Sequence, residues 1–242
     1  GEGSRPPASN GGYFGNAVVS RYPIVRSKNH MLPNPMGHEL RAALECQIDV
    51  DGAILNFFCT HLDVRDPDSR TAQAIALTQL ASEADGPTII TGDFNAVPLL
   101  STETAAVMKL FNDTWQVYRM LIDSAEIAKE SVFNRDYLKG GNTIDAVSPN
   151  RRIDYVFASH DLTVVPEVGA ARVLSTMASD HLPYLVDFEM PRAEQKRQDK
   201  ALVAVMSNPE SEEWFKDMRW TDGYDIDEIF KVVGSMGYEC VE

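Results

Sequence analysis

The stretch Thr88-Ile89-Ile90-Thr91-Gly92-Asp93-Phe94-Asn95 decides how the rest of the sequence is interpreted. Its apolar first half follows Gly86-Pro87, which is typical of a buried strand that begins after a turn. A carboxylate and an amide then follow the glycine, with one residue between them. Because alternate side chains of an extended chain point to the same side, Asp93 and Asn95 are expected together at the end of this strand, where α/β sheets place their chemistry.

These two side chains leave two interpretations open. A carboxylate can accept a proton from water or bind a cation, and an amide can orient a water molecule or a phosphate oxygen. The sequence Gly-Asp-Phe-Asn can equally form a turn that caps its own backbone. Only other parts of the chain can distinguish a site from such a turn.

The composition is that of a globular protein. The chain has 242 residues, enough for one large domain with an appendage, and 44% of them are hydrophobic. No apolar run is long enough to span a membrane, and the first residues, Gly-Glu-Gly-Ser-Arg-Pro-Pro, lack the apolar segment of a signal peptide. The sequence therefore predicts a soluble chain and indicates neither its compartment nor its oligomeric state.

The charge distribution argues against tight, non-specific binding of nucleic acid, which needs a basic face. The net charge is −14, and residues 209–242 alone hold ten Asp/Glu and three Lys/Arg, a net −7. This acidity favours a small-molecule or lipid-headgroup substrate over duplex DNA, although an acidic site can still reach a phosphate through a metal ion.

Residues 41–62 are predicted to form a β-hairpin, because Asp51-Gly52 is the signal for a two-residue turn. One face of this hairpin is then wholly apolar, and the other, which carries Asn56, is polar, as expected for a half-buried sheet. Folding about the turn pairs Val50 with Ala53, Ile48 with Leu55, Cys46 with Phe57 and Leu44 with Cys59.

The remaining patterns mix strands and helices, which predicts an α/β or α+β layered fold. A first helix is predicted over residues 67–84, with Asp68 or Ser69 as its cap and with Ala72, Ile75, Ala76, Leu80 and Ala84 at helical spacing. A second helix is expected from Ser101 or Thr102 to Leu110. Loops are predicted over residues 1–12 and 26–38, and residues 111–150 are mixed, with a long loop marked by Gly140-Gly141 and Pro149. Further strands are predicted over residues 13–20, 88–92, 152–158, 163–174 and 182–190.

Two boundaries are predicted near the C-terminus. Residues 1–190 are expected to form the main domain, and the polar, charged residues 191–200 a linker or a solvated helix. Residues 201–242 hold two short helical patterns, and we predict an acidic helical module of unknown role there.

Three further polar clusters lie at predicted strand ends. Each has an ordinary explanation, because His61 can be a surface histidine, Asp154 an acid on an edge strand and Asp180 the cap of a turn. In chain order the clusters are Thr60-His61-Leu62-Asp63, Arg152-Ile153-Asp154-Tyr155 and Ser179-Asp180-His181.

The ordered set of motifs resembles the endonuclease/exonuclease/phosphatase superfamily, which has the DNase I-like fold. The set runs from about residue 13 to residue 190: Gly-Asn-Ala…Ser-Arg-Tyr-Pro-Ile, Thr-His-Leu-Asp, Gly-Asp-Phe-Asn, Arg-Ile-Asp-Tyr-Val-Phe and Ser-Asp-His-Leu-Pro. Each motif alone is weak, but their order is specific. The resemblance implies a sandwich of two β-sheets flanked by helices. It also implies a Mg²⁺- or Mn²⁺-dependent phosphodiesterase or phosphatase, with a nuclease as the alternative.

The resemblance implies a role for each matching residue. Asp93 would activate or orient the attacking water, and Asn95 would hold that water or the phosphate. His181 would contact the phosphate, Asp154 would fix the imidazole of His181, and His61 would donate to a phosphate oxygen. Two histidines and an amide suit this chemistry, because attack at phosphorus spreads negative charge over the phosphoryl oxygens.

The same resemblance implies a metal site. Asp180 would bind the cation together with Asp93 and Asn95. Hard carboxylate oxygens suit Mg²⁺ or Mn²⁺ rather than zinc, so the residue chemistry agrees.

Other polar residues are expected to be structural. Asn16 is interpreted as the donor of a structural hydrogen bond. Arg41 is interpreted as half of a surface ion pair, with contact to a phosphate as the alternative. His30, His38 and His160 are expected to be solvated loop residues.

One part of the family pattern is expected to be missing. The resemblance implies an earlier strand with an Asn and a Gln-Glu motif whose Glu is a principal metal ligand. Only twelve residues precede the matching segment, and Glu2 stands in a Gly/Pro-rich stretch without that motif. We therefore expect a fragment or a degenerate homologue, and a non-catalytic remnant that binds phosphate or protein is an alternative function.

Overall fold

A computed structural model describes residues 15–98, 100–127, 140–190 and 200–205. In that part of the chain, a six-stranded sheet and a four-stranded sheet are flanked by helices, so the predicted α/β sandwich is confirmed. The elements are β1 (Ile24–Met31), β2 (Ala42–Val50), β3 (Ala53–His61), α1 (Pro67–Ser82), β4 (Thr88–Asp93), α2 (Thr102–Val107), β5 (Asn112–Asp113), α3 (Thr114–Ile127), β6 (Asp154–Ala158), β7 (Thr163–Val164), β8 (Ala171–Val173), β9 (Tyr184–Glu189) and β10 (Lys200–Val205).

The first sheet has the strand order β1-β2-β3-β4-β6-β5. Its neighbouring strands are antiparallel except β3 and β4, which are parallel and are connected through α1. A crossover of this kind is what a parallel pair requires. In the second sheet, β9 pairs with β10, β7 and β8, all in antiparallel register.

Two apolar cores lie on opposite faces of the first sheet. The core between the two sheets includes Ile48, Phe57, Ile89, Val186 and Phe188. The core between the sheet and the helices includes Phe58, Ile90, Phe157, Ala74 and Leu77. The central strands are therefore covered on both faces, which explains why the stretch that ends at Asp93 is buried at every position.

The predicted hairpin is confirmed, because β2 and β3 pair in the predicted register. On its polar face, Glu45, Gln47 and Asp49 of β2 are partly exposed, but Asn56 is buried because β3 lies inside the sheet. Asn56 has no exposed surface, and its amide nitrogen donates to the carbonyl oxygen of Asp85 at 2.8 Å. This hydrogen bond offsets the cost of burying the amide.

The N-terminal part of the described chain differs from the prediction. Residues 15–20, predicted to be part of a strand, form none, and β1 (residues 24–31) overlaps the first part of the predicted loop over residues 26–38. β1 is an edge strand with six of its eight side chains exposed, so its sequence lacks the alternation that marks a half-buried strand.

The first helix begins at Pro67, as predicted, but its cap lies two or three residues before the predicted Asp68 or Ser69. Its cap is Asp66, whose carboxylate accepts from the backbone N–H of Ser69 at 2.6 Å, and Pro67 is the first helical residue. Proline suits this position, because its missing N–H would have no helical partner there. For α2, the predicted cap Ser101 is confirmed.

The buried face of α1 was predicted only in part, because Ala76, Leu80 and Ala84 pack against the core but Ile75 does not. Ile75 is 45% exposed, whereas the polar Gln73 and Thr78 are buried. Gln73 accepts a hydrogen bond from the backbone N–H of Asp63 at 2.8 Å, and the Thr78 hydroxyl donates to the carbonyl of Ala74 at 2.7 Å. Apolar periodicity missed part of this face because its polar members are buried with their hydrogen bonds satisfied.

α3 lies in a region that was predicted to be mixed and loop-like. Asp113, just before the helix, accepts from the backbone N–H of Trp115 at 3.1 Å. The same carboxylate receives two hydrogen bonds from Arg152, at 2.8 and 2.7 Å, and both side chains are buried. This pair connects the start of α3 to the residues just before β6.

The C-terminal elements are shorter than predicted. β7 and β8 replace the single strand predicted over residues 163–174, and β10 extends the second sheet beyond residue 190. Residues 191–199 and 206–242 lie outside the described residues, so the linker and the helical module stay predictions. Within the described ranges, no helix has the length and hydropathy to cross a bilayer.

Candidate active site

Three of the predicted site residues are neighbours in the first sheet. The parallel register of β3 and β4 pairs His61 with Asp93, and the antiparallel register of β4 and β6 pairs Asp93 with Asp154. His61 and Asp93 end their strands and Asp154 begins its own, so the three residues meet at one end of the sheet.

Gly92 permits the close approach of β3 and β4 at this end. Its φ of +147° is a conformation that L side chains rarely adopt, and an added Cβ would overlap the backbone carbonyl of Thr60. The glycine of the Gly-Asp-Phe-Asn motif is therefore needed to place Asp93 beside His61.

The Gly-Asp-Phe-Asn motif forms a turn and also contributes to the site. Asp93 Oδ1 accepts from the backbone N–H of Asn95 at 2.7 Å, and Asn95 has a φ of +48°. The amide nitrogen of Asn95 donates to the carbonyl oxygen of Leu62 at 3.2 Å. Asn95 therefore orients the Asp93 carboxylate through its backbone, and its side-chain contact with water, phosphate or metal stays a prediction.

The other oxygen of Asp93 faces two histidines. Asp93 Oδ2 lies 3.4 Å from His61 Nε2 and 4.0 Å from His181 Nε2. His181 Nδ1 lies 2.8 Å from Asp154 Oδ2. A carboxylate at that distance holds the proton on Nδ1, so Nε2 of His181 is directed to the side of Asp93.

Electrostatics sets the protonation of these groups. Burial, and then the charge of Asp154, raises the pKa of Asp93 to about 7. Burial, and then the charge of Arg41, lowers the pKa of His61 to about 4, so His61 is neutral at physiological pH. Burial acts to lower the pKa of His181, but the hydrogen bond and charge of Asp154 outweigh it, and the pKa is raised.

Arg41 belongs beside this cluster, which corrects its interpretation as a surface ion pair. Its side chain is buried and forms an ion pair with the half-exposed Glu39 at 2.8 Å. Its charge lowers the pKa of both His61 and Asp93. The predicted hairpin register already indicated that Arg41 lies near His61, because the start of β2 lies next to the end of β3.

The cluster fits a divalent cation. Asp93, Asp154 and His181 each offer a ligand atom, and these atoms all lie within 4.8 Å of one another. Two buried carboxylates at this separation repel each other unless a proton or a cation lies between them, and carboxylate oxygens are the ligands that Mg²⁺ and Mn²⁺ prefer. Asp180, a predicted ligand, is exposed and outside this group, although its charge contributes to the raised pKa of His181.

The remaining polar candidates have structural contacts. The Asn16 side chain donates to the carbonyl of Ala42 at 2.9 Å, as predicted. His30 lies on β1, 2.6 Å from a carboxylate oxygen of Glu45, so it is not a solvated loop residue. His38 lies in a loop, as predicted, but it is partly buried and 3.2 Å from a carboxylate oxygen of Asp63. Only His160 of the three is exposed.

The fold is a two-sheet sandwich, and acids and histidines gather at one end of its first sheet. A sequence model of the Endonuclease/Exonuclease/phosphatase family matches residues 2–181. The chain therefore belongs to this family, and the predicted superfamily is confirmed.

The chain is also similar to individual proteins. The chain is 26% identical over 183 residues to the uncharacterized protein YbhP of Escherichia coli K12, and the match covers 74% of this chain and 64% of YbhP. The chain thus spans less than two thirds of that relative's length. Its fold is similar to the endonuclease/exonuclease/phosphatase of Bacteroides vulgatus, with a TM-score of 0.52, 18% identity and coverage of 70% of this chain and 67% of that one.

Proposed function

We propose that this chain hydrolyses phosphate esters with the help of a divalent cation. The observation that carries the proposal is the convergence of Asp93, Asp154 and His181 within 4.8 Å, with His61 beside them. Membership of the family supports the same reaction class.

Each side chain has a role that its environment allows. Asp93, oriented by the N–H of Asn95, orients the attacking water through Oδ2. His61 is neutral and donates to a phosphoryl oxygen, whereas the raised pKa of His181 favours a charged imidazole that opposes the developing negative charge. Asp154 keeps His181 in the orientation that directs Nε2 to the reacting group.

Two positive charges would also stabilise the phosphoryl oxygens. Arg41 adds a fixed positive charge next to His61 and Asp93. A bound cation would supply additional stabilisation of the phosphoryl oxygens. Asp93 and Asp154 would hold it, and Asp180 and Asn95 are candidate further ligands.

We favour a small-molecule or lipid-headgroup ester as the substrate. The net charge of −14 disfavours association with a long polyanion, whereas a small ester can be neutralised locally by the cation, Arg41 and the histidines. Nucleic acid is the alternative substrate, and a basic surface around the site would be its structural requirement.

The proposal is tested by hydrolysis of bis(p-nitrophenyl) phosphate with Mg²⁺, with Mn²⁺ and with EDTA. We expect turnover with metal, none with EDTA, and a loss of at least about a hundredfold in His181→Ala. The matched control is His160→Ala, which removes an exposed histidine away from the cluster and leaves turnover unchanged.

Two outcomes would contradict the proposal. Turnover that persists in EDTA would remove the cation from the mechanism. Absence of turnover in a sample with a cooperative unfolding transition, together with phosphate binding that survives Asp93→Ala, would identify a non-catalytic binding protein.

A further inference from the structure

We propose that Thr143 is a positioning residue that sets the Asp154 carboxylate against the His181 imidazole. Its catalytic consequence rests on the function proposed above, but the geometry stands independently of that function. Thr143 lies outside every motif that the sequence singled out, and its side chain has no exposed surface.

The hydroxyl of Thr143 holds the start of β6. Thr143 Oγ1 accepts from the backbone N–H of Ile153 at 3.2 Å and from that of Asp154 at 3.1 Å. β5 pairs only with Phe157 and Ala158, so these two N–H groups lie beyond the end of that strand pair. A buried N–H without an acceptor is costly, and Thr143 supplies the acceptor that a neighbouring strand would otherwise provide.

The backbone of Thr143 binds the segment that carries His181, the other member of the Asp154–His181 pair. Its carbonyl oxygen accepts from the N–H of Leu182, the residue after His181, at 2.6 Å. The next residue, Ile144, forms isolated β-bridges both with Arg151 and with His181. Thr143 therefore joins the segment that carries Asp154 to the segment that carries His181, and these two segments are far apart in sequence.

The segment around Thr143 is itself fixed. Gly141 lies against the indole of Trp115, where an added Cβ would come within 2.7 Å of two ring atoms. The N–H of Thr143 donates to the carbonyl oxygen of Arg151 at 2.9 Å. Because the position of Thr143 is itself fixed on both sides, Thr143 can fix the 2.8 Å distance between Asp154 Oδ2 and His181 Nδ1.

Four substitutions separate positioning from general stability. Thr143→Val keeps the shape and removes the acceptor, Thr143→Ser keeps the hydroxyl, and Thr143→Cys offers only a weak acceptor. The matched control is Thr114→Val. Thr114 is equally buried, and its hydroxyl donates to the carbonyl of Val156 further along β6 at 2.7 Å, away from the Asp154–His181 pair.

The first measurement is the NMR signal of the His181 Nδ1–H in the metal-free protein, assigned by its loss in Asp154→Asn. We expect a downfield resonance in the wild type, in Thr143→Ser and in Thr114→Val. In Thr143→Val it should move upfield or disappear, with a smaller displacement in Thr143→Cys. An unchanged resonance in folded Thr143→Val, or in Thr143→Cys if the valine variant does not fold, overturns the proposal.

The second measurement is metal-dependent turnover of bis(p-nitrophenyl) phosphate. We expect kcat in Thr143→Val to fall by about 10–100-fold with KM changed by less than about twofold, the usual effect of losing a group that orients a catalytic one. Thr143→Ser should restore kcat, and Thr114→Val should retain it. If the wild type shows no turnover at all, the proposed function fails, and the NMR signal alone still decides the role of Thr143.

Discussion

At the scale of single residues, Asp93 has an environment that favours function over stability. Its carboxylate is buried next to Asp154, and these two causes, in that order, raise its pKa to about 7. A group that must be ionised to bind a cation is thus held where ionisation is unfavourable. The free protein should therefore be less stable with Asp93 charged than with Asp93 protonated.

Asp93→Asn should accordingly stabilise the metal-free protein. Since the folded pKa lies above the unfolded value, the folded state binds more protons between about pH 4 and pH 7, so the contribution of Asp93 to stability is lost as pH rises through that range. We expect the variant to be more stable by about 1–3 kcal/mol at about pH 8 and equal to the wild type near pH 4. Urea unfolding in EDTA measures this difference.

The exposed Asp85→Asn variant serves as the control, and we expect only a small change in its stability. A variant Asp93→Asn that is less stable than the wild type at pH 8 would show that the carboxylate is not strained. Added Mg²⁺ should reverse the order, because it can stabilise only the chain that retains the ligand.

At the scale of residues, the site was predicted from polar side chains at the ends of predicted strands. His61, Asp93 and Asp154 were found because polar residues at the end of an apolar run are conspicuous, and the structure brings all three together. Arg41 was misjudged because the pattern around it gives no indication that its side chain is buried. Thr143 was missed because a lone threonine has no pattern, and its importance comes from partners far along the chain.

At the scale of elements, the parallel pair β3–β4 depends on Gly92. A side chain at this position would overlap the Thr60 carbonyl in the adjacent strand, and it would also have to adopt an unfavourable φ. We expect Gly92→Ala to destabilise the protein by more than about 4 kcal/mol or to prevent folding, because the backbone of β3 cannot move without breaking the ladder.

Gly37→Ala is the matched control. Gly37 also has a positive φ, but nothing lies within 4 Å of an added Cβ. Its cost should be about 1–2 kcal/mol, the backbone term alone. Equal losses in the two variants, measured by urea unfolding, would show that the contact with Thr60 contributes nothing.

Strands and helices were predicted correctly where their buried residues are apolar and recur at a regular spacing. The β2–β3 hairpin had both a turn signal and an apolar face, and even its register was correct. β1 was not predicted because an edge strand buries few of its side chains. The buried face of α1 was predicted only in part because its buried residues include the polar Gln73 and Thr78. α3 was missed because its start depends on the Asp113–Arg152 pair, a contact between segments far apart in sequence.

At the scale of the whole molecule, charge is expected to limit the choice of substrate. With a net charge of −14, the chain should not associate with a labelled DNA duplex at physiological salt in EDTA up to about 10 μM protein. Fluorescence anisotropy measures this association, with Mn²⁺ in place of EDTA to test bridging by the cation. Binding in EDTA that weakens steeply with salt would instead favour the nuclease alternative.

The ladder that joins β3, β4 and β6 has a consequence for how such a protein can change over time. Backbone hydrogen bonds set the spacing of His61, Asp93 and Asp154, whereas the loop of residues 32–40 joins β1 to β2, outside the strands that carry these groups. A surface loop of this kind can be exchanged or lengthened while the reacting groups keep their positions. New substrates can therefore be acquired by a lineage, or by a designer, through surface variation alone, with the chemistry inherited intact.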